Sequence, residues 1–244
     1  MKIINVEQGS QEWKRARLAM VTGTRMDDVM GSELDQLMLA CELIAEEATE
    51  QSKDFKATPS MERGTAEEPF ARKLFQERTG KKVEELGFCV SDEYDYLGVS
   101  GDGWIKNGKK YTEALENKSP DTKTTVFYTL GSCFSPEELG LGSYSAPTKS
   151  NPDPVFKPSA KAPYYGIPAQ YKWQVVTYFM VNTDLTKLYF TVYDSRMIDD
   201  RSKLTIVEVT REQVAPEIEA ATKKLVEFRE FWLKLRTAII KNDF

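Results

Sequence analysis

Apolar and polar positions along this chain change period several times. Residues 10–60 read mainly as helix. Ser10 is an N-cap ahead of Gln11-Glu12-Trp13, and apolar residues recur at three- and four-residue spacing from Leu34 to Ala48. Val21-Thr22-Gly23-Thr24 interrupts this pattern, and the polar run from Gln51 to Pro59 predicts a loop. A second amphipathic helix is predicted from Thr65 to Arg78, where Phe70, Ala71, Leu74 and Phe75 fall at helical spacing. Thr79-Gly80 ends it, since glycine takes up the left-handed cap without strain.

The period then drops to two. Val83–Val90, Leu97–Val99, Gly103–Ile105 and Thr112–Asn117 predict strands, the last two joined by a turn at Asn107-Gly108. Eight of the eleven prolines then fall in residues 119–168 among Gly and Ser, a density that predicts an extended loop inserted at about 119–167. Lys149, Lys157, Lys161 and Lys172, set against Asp153, predict a positive surface element that meets DNA or a partner protein, or a mobile cover, and an uninvolved solvated loop fits equally. Helix resumes near Pro168 and runs to Asn182, strands follow at Leu188–Asp194 and Leu204–Val209, and residues 213–240 form a closing helix. Val214, Ile218, Ala221, Leu225, Phe228, Trp232 and Leu235 mark its apolar face. No internal repeat is visible. These elements predict one α/β domain spanning residues 1–244, with a mixed central β-sheet flanked by helices.

Composition narrows the chemistry. With 41% hydrophobic and 29% charged residues the chain can bury a core, and it contains no histidine. That absence excludes a Ser-His-Asp triad, a His-ligated zinc site and histidine phosphotransfer. Cys41, Cys89 and Cys133 are too sparse and too far apart for a disulfide framework or a thiolate metal site. No apolar run reaches 18 residues, and the N-terminus lacks a signal-peptide stretch, so a soluble cytoplasmic protein without membrane contact is expected. The net charge of −5 predicts no general basic surface, but it is compatible with a local positive groove beside an acidic metal site.

The informative stretch is Ser100-Gly101-Asp102-Gly103 followed by Glu116-Asn117-Lys118. Glu116 and Lys118 share one face of their strand because side chains alternate. Pairing that strand antiparallel with the one beginning at Asp102 brings the two carboxylates together beside the lysine. An acid pair of this kind holds a hard divalent cation, with the Asn117 carbonyl as a further ligand. The lysine would orient a water or stabilise negative charge at phosphorus. On these residues alone, a solvated turn aspartate and a solvated strand face fit better. Two helical segments, Arg63-Gly64-Thr65-Ala66-Glu67-Glu68-Pro69-Phe70-Ala71 and Gln174-Val175-Val176-Thr177-Tyr178, carry residues able to complete such a site.

Taken in order, these segments resemble the lambda exonuclease, or YqaJ-like viral recombinase, branch of the PD-(D/E)xK nucleases. The resemblance runs from Gln8-Gly9-Ser10, Trp13, Arg17-Leu18 and Val21-Thr22-Gly23-Thr24 through Gly64-x-x-x-Glu68-x-x-Ala71 and Ser100-x-Asp102-Gly103. It continues in Leu115-Glu116-x-Lys118-x-Pro120, Gln174-x-x-x-Tyr178 and Tyr193-Asp194-Ser195-Arg196-Met197. It implies a PD-(D/E)xK core in which Asp102, Glu116, Glu68 and the Asn117 carbonyl hold Mg2+, with Mn2+ as substitute and two ions per site. Lys118 would then activate the attacking water, with Gln174 beside the acidic cluster. It also implies that Arg17, Thr24 and Ser100 receive a 5′-terminal phosphate, a dianion suited to a guanidinium and hydroxyls. The implied activity is digestion of the 5′-ended strand of linear duplex DNA, in the 5′ to 3′ direction. A ring-shaped homotrimer would leave 3′ single strands for a single-strand annealing protein, in the host cell cytoplasm if phage-encoded. A structure-specific endonuclease on the same core, or a non-catalytic protein that binds DNA ends, are the alternatives. Three positions depart from the family pattern: Gly101 where proline is frequent, Thr24 for serine, and Val176 for a second glutamine. The 119–168 segment also looks longer than the family norm.

Overall fold

The computed structural model describes residues 1–52, 58–147 and 154–240. In chain order the elements are β1 (Lys2–Ile4), α1 (Gln11–Ala16), β2 (Val21–Thr22), α2 (Met26–Val29), α3 (Glu33–Thr49) and α4 (Pro59–Thr79). Then come β3 (Phe88–Val90), β4 (Leu97–Val99), β5 (Gly103–Asn107), β6 (Lys110–Lys118) and α5 (Thr122–Cys133). The chain closes with β7 (Gly142–Tyr144), β8 (Phe156–Pro158), α6 (Lys172–Val181), β9 (Lys187–Tyr193), β10 (Leu204–Thr210) and α7 (Ala215–Ile239).

The expected mixed α/β architecture is present, with its strands divided between two four-stranded sheets, β1-β3-β4-β2 and β10-β9-β6-β5, and a small β7-β8 ribbon. In the second sheet β5 and β6 form an antiparallel hairpin, while β6 and β9 run parallel, Glu116 opposite Phe190 and Lys118 opposite Val192. Alternation along these strands decides what each face meets. Trp104, Ala114, Leu188, Phe190 and Val192 join the main core, which includes Val175 and Phe179 of α6 and Leu225, Phe228 and Trp232 of α7. Ile105, Leu115, Tyr189 and Tyr193 instead form a smaller core with Ala71 and Phe75 of α4. The sheet thus lies between α4 and the α6–α7 pair, and β6 places Glu116 on the same side as Ala114.

Local chemistry explains most element ends. The Ser10 hydroxyl accepts the Trp13 N–H at 3.1 Å, as its N-cap role requires. Helix α4 begins six residues earlier than expected, because Thr58 caps it and Pro59 sits at the first helical position, where a missing N–H costs nothing. Of the long strand expected at 83–90, Phe88–Val90 is ladder, and Glu84 makes a single bridge to Trp104. Pro168 caps a short 3-10 turn, Ala169–Tyr171, and α6 follows it.

The reading of 119–167 as extended loop is corrected over residues 122–133. Asp121 caps a twelve-residue helix there, α5, with its side chain accepting the Thr124 N–H at 3.1 Å. Proline bounds this helix at Pro120 and Pro136 and is absent between them, so the crowding of prolines applies only further along. Lys149 and Asp153 lie outside the described residues. Lys157 and Lys161 are exposed. Lys172 is no free surface charge: its ammonium lies over the Tyr164 and Trp173 rings and 3.4 Å from Glu217. Among the described residues no helix is long and apolar enough to cross a membrane.

Candidate active site

The β5–β6 hairpin does what its spacing predicts. With Gly103 paired to Leu115, Asp102 comes opposite Glu116, and an Asp102 carboxylate oxygen accepts the Asn117 backbone N–H at 2.7 Å. Neighbouring segments fix the Asp102 turn: Arg72 of α4 donates to the Asp102 carbonyl at 3.0 Å and Gln8 to the Gly101 carbonyl at 3.1 Å. Gly101 follows from packing, because a Cβ there would come within 2.9 Å of both Trp104 and Tyr178. The family's frequent proline would meet the same obstacle.

Glu116 is 2% exposed and fully engaged. Its Oε1 accepts Gln174 Nε2 at 2.6 Å and lies 2.6 Å from Lys118 Nζ, while its Oε2 accepts the Tyr178 hydroxyl. Gln174 and Tyr178 are four residues apart on α6, so one helix face supplies both donors. Tyr178 thus joins the site beyond the residues expected from sequence, and the Gln174-x-x-x-Tyr178 spacing carries the signal for it. Lys118 Nζ also lies 4.8 Å from the Tyr171 ring centroid. The Asn117 side chain is buried in the sheet, accepting from Thr191 Oγ1 at 3.0 Å and donating to Ser119 Oγ at 3.1 Å. Only its main chain is therefore left to serve the site.

Charge accumulates here against the cost of burial. Burial, then the nearby Glu116 and Glu68, hold the Asp102 carboxyl well above the usual carboxylate range, with Lys118 and the Asn117 N–H opposing. Glu68 is also raised, first by burial and then by Glu116, with Arg72 and Lys118 opposing. Burial alone would lower the Lys118 ammonium, but Glu116 and Asp102 outweigh it and raise it. Among the described residues no set of three or more His, Cys, Asp or Glu side chains closes into a metal cage. Asp102 and Glu116 converge, and Glu68, which raises the Asp102 carboxyl and is itself raised by Glu116, does not join them in such a set. A half-buried Asp102 carboxyl raised by the buried Glu116 beside it, with Glu68 close by, forms a donor set whose crowding a hard divalent cation would relieve.

Of the three residues expected to hold a phosphate, the structure joins two. Arg17, at the C-terminal end of α1, donates to Ser100 Oγ at 2.8 Å, and Trp13 Nε1 donates to the same oxygen at 2.9 Å. The Arg17 guanidinium lies 4.2 Å from the Trp13 ring centroid. Thr24 is not bonded to either of them, and its hydroxyl lies 3.3 Å from that of Thr22. Its turn does abut the acidic centre, since a Cβ on Gly23 would meet Gln174 at 3.2 Å. Burial, then Arg25, push Arg17 down to about 10, with Glu46 opposing. Glu46 cannot serve as its partner, because its oxygens accept from Arg25 and the Ala19 N–H. The arrangement can do two things side by side: concentrate a cation at Asp102 and Glu116, and receive an anion at Arg17 and Ser100.

Comparison with known proteins bears on the family and the fold. The family model of the YqaJ-like viral recombinase domain matches residues 12–186. An alkaline exonuclease from Laribacter hongkongensis, LHK-Exo, superposes with TM-score 0.65 at 24% identity, covering 94% of this chain and 97% of that one. The same exonuclease in complex with dAMP gives 0.66 at 24% identity, over 94% and 97% of the two chains. A phage-related exonuclease from Haemophilus somnus 129PT gives 0.59 at 11% identity, over 91% and 96%. These likenesses establish the fold. No curated protein matches the sequence at significance.

Proposed function

The chain belongs to the YqaJ-like viral recombinase domain family, and from that premise we propose that it is a metal-dependent deoxyribonuclease that digests the 5′-ended strand of linear duplex DNA. The observation that carries this reading is the meeting of Asp102, Glu116 and Lys118 at one end of the β5–β6 hairpin. Asp102, Glu116, the Asn117 carbonyl and Glu68 would hold Mg2+ or Mn2+, two ions per site. When bound, the metal supplies Lewis-acid stabilisation of charge developing on the phosphate. Gln174 and Tyr178 fix the Glu116 carboxylate, and Lys118 stands beside it to orient the attacking water. The complex of the Laribacter exonuclease with dAMP supports a DNA nucleotide as the species this fold accommodates.

The second site supports the 5′ polarity of this reading. Arg17 is charged at neutral pH, half-buried and without a carboxylate of its own among the described residues, and it shares Ser100 Oγ with Trp13. A terminal 5′ phosphate would supply the missing counter-charge, two residues from Asp102. Family resemblance adds a ring trimer, a single-strand annealing partner and 3′ single strands as the product used in recombination. A ring needs positive charge only along its channel, which suits a chain of net charge −5.

The test is cleavage of a linear duplex by wild type, Asp102→Ala, Glu116→Gln and Lys118→Ala, with magnesium and with chelator. The reading expects cleavage by the wild type in magnesium alone, and folded but inactive variants. Full activity in chelator, or in Lys118→Ala, would remove the assignment.

A further inference from the structure

Strand β6 ends on Lys118, and the chain leaves the site through Ser119 and Pro120. Two arginines from different elements grip the two carbonyls that follow. Arg63 of α4 donates from Nη2 to the Ser119 carbonyl at 3.2 Å, and Arg196, beyond β9, donates from Nη2 to the Pro120 carbonyl at 2.9 Å. Their electrostatic settings differ. Arg196 is neutralised by Asp194, which is fully buried and accepts from its Nε at 2.7 Å and its Nη2 at 3.0 Å. Arg63 forms no ion pair among the described residues, and its Nε is shut off from solvent without a hydrogen-bond partner. Glu67, one helical turn along α4, turns its Oε1 to Ser195 Oγ at 2.5 Å.

A guanidinium stays charged at any pH the fold survives, and a buried charge without a counter-ion is costly. No ion pair among the described residues answers the half-buried Arg63 guanidinium, and its bond to Ser119 fixes it one residue past Lys118. We propose that Arg63 binds a backbone phosphate of the DNA next to the reacting one, whereas Arg196 only positions the Ser119–Pro120 turn. The inference rests on the nuclease reading above and adds to it a contact that tracks the DNA backbone without reading sequence.

Binding can be separated from cleavage by measuring the affinity for a fluorescent 5′-phosphorylated duplex in chelator, over a series of salt concentrations. Each phosphate contact contributes about one to the slope of log affinity against log salt. Arg63→Gln should therefore lower the slope by about one and weaken binding equally for unrelated sequences, while Arg63→Lys should keep the wild-type slope. Arg196→Gln should keep the slope and melt at a lower temperature, because Asp194 is left buried without its partner. A wild-type slope in folded Arg63→Gln, or a slope lost in Arg196→Gln and kept in Arg63→Gln, would overturn the assignment. Absence of any salt-dependent DNA binding by the wild type would overturn the nuclease reading itself, a result distinct from either of these.

Discussion

Ser100 and Asp102 stand two residues apart and belong to surroundings of opposite sign. At Asp102, buried and half-buried carboxylates crowd together, and Glu116 and Glu68 raise the Asp102 carboxyl further than burial already does. At Ser100, a half-buried guanidinium is lowered by burial and by Arg25, and no ion pair among the described residues answers it, since Glu46 is taken by Arg25. The nearby Arg25–Glu46 pair shows what folding alone asks of buried charge, since acid and base there satisfy each other. The two unbalanced regions do not, and their imbalances are complementary: one calls for a cation and the other for an anion. A phosphorylated DNA end with its divalent metal would supply both. Strongly perturbed ionisable groups in one crevice, unexplained by stability, are the expected mark of a working site.

The comparison breaks most sharply through the acidic region. Lys118→Ala and Asp102→Asn should each lower the rate of duplex cleavage by about 10²–10⁴-fold, the usual range for removing a group that acts on the reacting atoms. Steady-state cleavage in magnesium checks this, with circular dichroism to confirm the fold.

The cationic region should give a smaller and more selective effect. Arg17→Ala should reduce a preference for 5′-phosphate over 5′-hydroxyl ends of about tenfold to none. Each charge-assisted bond contributes about 1.5–3 kcal/mol, and the desolvation of Arg17 offsets part of it. Digestion of hydroxyl-ended duplex should change little. An equal loss on both ends would move Arg17 from the phosphate to the scaffold.

A third experiment sharpens the contrast through stability. The Asp102 carboxyl has a higher pKa folded than unfolded, so ionising it costs the fold stability as pH rises. That cost is fully present above the folded pKa and vanishes below the ordinary aspartate value of about 3.9. In chelator, Asp102→Asn should thus melt about 2–4 °C above wild type at neutral pH, which is about 1 kcal/mol, and the gap should close as pH falls towards 4. A variant less stable than wild type at neutral pH would show that the carboxylate is tolerated better than its surroundings suggest.

The two regions were not equally legible in the sequence. The acidic one was, because the two-residue period of β6 and the Asn107-Gly108 turn dictate that Glu116 and Lys118 share a face near Asp102. The Arg17 region rested on family likeness alone, since an arginine at a helix end and a serine 83 residues later carry no local sign of contact. Helix α5 was obscured because proline density averaged over fifty residues concealed a proline-free stretch with its own Asp121 cap. The engagement of Lys172 with two rings and Glu217 was equally out of reach, as it depends on tertiary packing.

The most direct measurement follows the products from a linear duplex carrying a 5′ phosphate at one end and a 5′ hydroxyl at the other, each strand labelled separately. In magnesium, mononucleotides should be released first from the 5′-phosphorylated strand, its partner strand should remain intact, and nothing should be released in chelator. Internal fragments as the first products, release from 3′ ends, or cleavage without metal would contradict a cation at Asp102 and Glu116 working beside a phosphate held by Arg17.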